Sequence, residues 1–116
     1  MANQDEPKFD ANGPHYYVAF HSPGPNWVEG VPYNEQPDFM VHVKYMSDLN
    51  QQGKIYISGP FMEVEGGLNG RLAPGGMAVF KTKSLAEATK LAKDDPTVKS
   101  GMINADMKTL WLPFHP

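Results

Sequence analysis

Apolar and polar positions follow two rhythms along this chain. Residues 15–21 (HYYVAFH) are rich in types that favour extended backbone and are apolar on both faces. They predict a first strand, covered on both sides or on one side by a partner subunit. The period then changes: Phe39, Val43, Met46 and Leu49 recur at helical spacing. A helix is expected to start near Pro37, whose missing N–H suits a first turn, and to stop at Gly53. Residues 54–58 alternate Ile55 and Ile57 against Tyr56 and Ser58, the period of a second strand, with a break expected at Gly59-Pro60. Residues 77–81 predict a third strand. Ser84 and Glu87 then stand at capping-box spacing before Leu85, Ala88, Leu91 and Ala92, the buried face of a second helix. That helix is expected to end at Asp94-Asp95-Pro96, because proline disfavours helical backbone in the residue before it. Residues 101–114 have room for a last strand, limited by Pro113.

The order strand, helix, strand, strand, helix, strand is that of an α+β, ferredoxin-like βαββαβ domain: a four-stranded antiparallel sheet with two helices on one face. The bare face would carry Tyr, Val, Phe, Ile and Leu, and pairing two sheets in a homodimer is the simplest way to hide it. Three connections stand out. Residues 1–14 are polar and without period and read as a flexible leader, leaving 15–116 as one domain. Residues 22–37 form a long loop rich in proline and glycine that holds Trp27, which either packs on its own domain or caps a pocket or partner. Residues 62–76 are a glycine-rich excursion whose tip is expected to be a surface turn or hairpin loop, without the Gly-Lys-Ser/Thr of a phosphate loop.

Composition narrows the function classes. The 116 residues suit one domain with a real core, and a net charge of -3 with scattered lysines and arginines argues against nucleic acid or an anionic membrane surface. No apolar run approaches the ~18 residues of a membrane span, and the polar start lacks the features of a secretory signal, so a cytoplasmic protein is the default. There are no cysteines, and the four histidines show no metal-ligand spacing, so neither a metal nor another cofactor is expected.

Four positions carry candidate chemistry. His42 points with the inward stripe of the first helix, where an imidazole needs a partner: a core histidine bonded to a carbonyl and a general base are both open. His21 sits where the first strand meets its long loop, a place where pockets open. Ser58 precedes a bend and could bind a substrate oxygen or be an ordinary strand residue. Gly59 would serve a turn or bulge, with its amide facing the same space.

The chain resembles the YCII-related family, small proteins of the dimeric α+β barrel type. The resemblance rests on His42 with Tyr45, the Gly53-Lys54 helix stop, Gly59-Pro60, Gly76-Met77-Ala78-Val79, Ser84 with Glu87-Ala88, and Asp95-Pro96-Thr97-Val98 running into Ser100-Gly101. The HSPGPNW segment at residues 21–27 is similar to that of a subset of the family. The resemblance implies a histidine–aspartate dyad, falling on His42 and Asp95, with Asp95 orienting the imidazole. It also implies small-molecule acid–base chemistry, because relatives include a dehydrochlorinase, muconolactone isomerases and cofactor-free monooxygenases. The expected function is therefore a homodimeric lyase or isomerase acting on a small cyclic or aromatic compound. A non-catalytic small-molecule binding or regulatory module is the alternative, and a cofactor-independent oxygenase is a third reading. Asp95 also has an ordinary reading, as a turn residue before proline.

Overall fold

The structure is a computed structural model and describes residues 5–116. Its elements are β1 (His15–Pro23), α1 (Phe39–Gln51), β2 (Ile55–Val64), β3 (Arg71–Phe80), α2 (Leu85–Lys93), α3 (Pro96–Lys99) and β4 (Ile103–Trp111). Single 3-10 turns lie at Tyr33–Glu35 and Gly67–Asn69. The sheet order is β2-β3-β1-β4 with every neighbouring pair antiparallel. This is the expected ferredoxin-like arrangement, with α3 as an added helical turn after α2.

The main core lies between the sheet and the helices. Tyr17 and Ala19 of β1, Ala78 and Phe80 of β3 and Ala105 of β4 meet Leu49 of α1 and Ala88 and Ala92 of α2. Alanines at the sheet centre and on α2 let helix and sheet approach closely, and Phe80 fills the space that remains. By alternation, Tyr16, Val18 and Phe20 face the other way. On that side Tyr16 stacks on Tyr56 at 5.0 Å between ring centroids. Phe20, Tyr56, Ile57 and Leu110 are 38–54% exposed.

Two expectations about β2 and β3 are corrected. Gly59-Pro60 does not break β2, which runs on to Val64, and β3 begins at Arg71 rather than Met77. β2 is the edge strand, so a proline without an N–H is tolerated there. The glycine-rich excursion is mostly hairpin, turning at Gly66 and Gly67 with positive φ. Ser84 caps α2 as expected, its Oγ accepting from the Glu87 N–H at 3.1 Å. Glu87 reaches back to the N–H of Lys83, one residue before the cap.

Of the expected flexible leader, residues 1–4 lie outside the described part, and the rest is tied to the C-terminal tail. The Asp10 N–H donates to the Pro113 carbonyl at 2.8 Å and the Leu112 N–H to the Pro14 carbonyl at 2.9 Å, while His115 Nε2 meets Asp10 Oδ2 at 2.8 Å. The long loop after β1 is also ordered. Gln36, only 4% exposed, accepts from the Val28 N–H and donates to the carbonyls of Val28 and Val31. That staple folds the loop so that Trp27 packs on Tyr33, with ring centroids 5.4 Å apart. Trp27 thus packs on its own domain.

Candidate active site

His42 lies in the second turn of α1 and is buried, as its place in the inward stripe predicted. Its Nδ1 meets Asp95 Oδ2 at 2.6 Å, a contact between residues 53 apart in sequence. Asp95 sits at the corner between α2 and α3 and caps α3. Its Oδ1 accepts from the Thr97 N–H at 2.9 Å and the Thr97 hydroxyl at 2.7 Å. Neighbouring Asp94, which does stand at the end of α2, is offset by Lys90 at 2.7 Å. Burial alone would raise the Asp95 carboxyl, but hydrogen bonds from His42 and Thr97 outweigh it and hold it below the usual value. Both carboxylate oxygens are therefore committed, and the carboxylate is held in its charged form.

With Nδ1 tied to Asp95, His42 turns its other nitrogen away from the pair. Nε2 has no hydrogen-bond partner among the described residues, and it belongs to a residue on the wall of a cleft of about 380 Å³. The cleft runs between α1 and the edge strand β2. Val43, Met46 and Ile55 give it apolar sides, and Ser47 and Asn50 add polar groups along α1. Its inner end is formed by His42, His21 and Tyr33.

The structure brings His42, His21, Ser58 and Gly59 to the same cleft, with Asp95 buried behind His42. The ring of His21 stands edge-on to that of His42, 5.1 Å between centroids. Burial, and after it repulsion from His42, lowers the His21 pKa to about 4, with Asp95 pulling weakly the other way. At neutral pH His21 is an uncharged imidazole. Ser58 donates to the Met77 carbonyl at 3.2 Å, which leaves its oxygen able to accept from a ligand.

Gly59 has an unremarkable negative φ, and a side chain there would meet open space. The glycines that shape this floor are opposite, on β3. Gly75 has φ +118° and a side chain on it would collide with the His21 carbonyl; one on Gly76 would collide with the Gly59 carbonyl and lie 2.7 Å from Pro60 Cα. These two glycines, not Gly59, allow β1 and β2 to close on β3 beside the dyad.

Two groups escaped the sequence reading. Thr97 is fully buried and fixes Asp95. Tyr33 lies near-parallel to His42 with centroids 6.2 Å apart. The signal for Thr97 was its place after Asp95-Pro96, where a short helix needs a cap. For Tyr33 the only signal was a second aromatic in the loop of Trp27. Among the described residues, no group of three or more histidine, cysteine, aspartate or glutamate side chains is placed to hold a metal ion.

A ferredoxin-like domain with a buried histidine–aspartate pair whose histidine lines a cleft beside the edge strand is the class of protein defined by this fold and site. The chain belongs to the YCII-related family, whose domain model matches residues 16–107. Among solved structures it is similar to 5-chloro-2-hydroxyhydroquinone dehydrochlorinase (TftG) from Burkholderia phenoliruptrix AC1100, in complex with 2,5-dihydroxybenzoquinone. The match has a TM-score of 0.58 at 17% identity and covers 80% of this chain and 90% of that one. At that identity the likeness is one of fold. No curated protein matches the sequence.

Proposed function

We propose that this protein is a lyase or isomerase that performs acid–base chemistry on a small cyclic or aromatic compound held in the cleft. His42 takes the proton on Nε2. Asp95 holds the ring by Nδ1 and balances the charge that the ring gains, and His21 and Ser58 line the pocket around the ligand. The observation that carries this reading is the 2.6 Å contact of Asp95 Oδ2 with His42 Nδ1 at the wall of the cleft, leaving Nε2 without a protein partner. The fold shared with a dehydrochlorinase supports the substrate class.

The test is turnover of 5-chloro-2-hydroxyhydroquinone, followed by chloride release, and of muconolactone, followed by its ultraviolet spectrum; muconolactone should react the more weakly, because the cleft wall has no lysine or arginine to hold its carboxylate. Substitution His42→Ala should cut the rate by roughly two to four orders of magnitude without changing the assembly state. Unchanged turnover in that variant would sink the mechanism. A parent protein that binds these rings and returns them unaltered would favour the second reading, a binding or regulatory module using the same pocket.

The exposed apolar row on the outer sheet face supports a homodimer in which a second copy covers it. Sedimentation should give a dimer for the parent protein and a monomer for Ile57→Lys. Among the described residues no helix is long and apolar enough to cross a membrane.

A further inference from the structure

Tyr33 is only 3% exposed, yet its hydroxyl makes no hydrogen bond to any described residue. A phenol buried without a partner is costly, and no side-chain oxygen or nitrogen among the described residues is both fully enclosed and unsatisfied. The hydroxyl therefore reaches open space, and the space that Tyr33 lines is the cleft at the dyad. Its ring lies over the His42 ring, inclined by 29°. The cleft wall carries no lysine, arginine, aspartate or glutamate. Apart from the His42 ring once it has taken the proton, itself balanced by Asp95, an anion forming there would have only neutral donors to stabilise it.

We propose that Tyr33 is a catalytic residue that donates its hydroxyl hydrogen bond to a ring oxygen of the ligand, and that the ligand class is therefore an uncharged phenol, enol or cyclic ketone rather than a carboxylate or phosphate. The proposal rests on the acid–base reading of the cleft and deepens it. When His42 Nε2 takes the proton, the O–H or adjacent C–H bond of the ligand breaks and its electron pair moves onto the ring oxygen. Tyr33 holds that oxygen without giving up its own proton, which is stabilisation by a donor already aimed where charge develops. Burial, and after it the charge of Asp95, holds the Tyr33 phenol well above its ordinary range, so the donor keeps its proton. Neutral His21 stands beside it as a second uncharged group.

The probe is 4-nitrophenol, whose absorbance separates phenol from phenolate, with 4-nitrobenzoate as a carboxylate of similar shape. The parent protein should bind the phenol, shift it toward phenolate, and bind the benzoate at least tenfold more weakly. Tyr33→Phe keeps the ring and its packing; it should weaken phenol binding roughly ten- to a hundredfold and reduce the shift toward phenolate. Unchanged His42 ring resonances in that variant would establish that the loss is not structural. If Tyr33→Phe binds and ionises the phenol as the parent does, while His42→Ala does not, the Tyr33 assignment is overturned and the dyad reading survives. Equal binding of the benzoate overturns the ligand class. A parent protein that binds no phenol overturns both the assignment and the reading beneath it.

Discussion

The two ends of the layer between sheet and helices are built by opposite rules. At one end Ala19, Ala78, Phe80, Ala88 and Ala92 are 0–2% exposed and wholly apolar. At the other, His21, His42, Asp95, Thr97 and Tyr33 are just as enclosed, at 0–9%, and every one carries a polar atom. The first end returns stability for each methyl buried. The second satisfies Asp95 and Thr97 internally but leaves His42 Nε2 and the Tyr33 hydroxyl without a hydrogen-bond partner among the described residues, on two residues that line the cleft. A fold that needed only stability would gain by filling that space with apolar groups. Keeping it open and polar is what marks the end as the candidate site.

The contrast is testable by substitution, beginning where the effect should be largest. Phe80→Ala should cost about 3–5 kcal/mol in denaturant unfolding, while any protein that remains folded still binds a phenol. Asp95→Ala leaves His42 and both Thr97 donors without their acceptor. A loss of about 3 kcal/mol is expected, together with ligand binding, so stability and function fall together at this end only. Gln36→Ala removes the staple from three backbone groups of the long loop and should cost about 1–3 kcal/mol. Because that loop carries Tyr33, phenol affinity should fall with it.

Acid should also separate the two ends. The folded His21 pKa lies at about 4 against 6.5 for an ordinary histidine, so between these values the unfolded chain binds the extra proton. Stability attributable to His21 is complete above pH ~6.5 and is lost progressively toward pH ~4, by up to about 3 kcal/mol. Asp95, held below its ordinary value, adds a loss only as the pH falls from ~4 through its folded pKa. Urea midpoints across this range should slope for the parent protein and flatten between pH ~6.5 and ~4 in His21→Phe. The smallest effect is expected at the exposed Lys44–Asp48 pair, where Lys44→Ala should change stability by less than about 0.5 kcal/mol and leave phenol binding unaltered.

The apolar end was the more legible of the two in the sequence. Core positions repeat every two residues in strands and every three to four in helices, so periodicity located β1, α1, α2 and their order. It also turned His42 inward. Periodicity could not say what meets His42, because that partner lies 53 residues away in another corner; family resemblance supplied Asp95. Tyr33 and Gln36 sit in a loop without period, where burial depends on side-chain-to-backbone bonds that no pattern encodes. The β2–β3 hairpin was cut short because glycine and proline normally argue against strands. At an edge, beside a strand with Gly75 and Gly76, they are what lets the chains close.

The central claim is that Asp95 fixes His42 so that Nε2 faces a ligand. Ring nitrogen NMR of His42 tests it most directly, with 4-nitrophenol added to the parent protein. The neutral ring should carry its proton on Nδ1, and the phenol should move the Nε2 resonance far more than that of Nδ1. A neutral ring protonated on Nε2, or a bound phenol that leaves Nε2 unmoved, would contradict it.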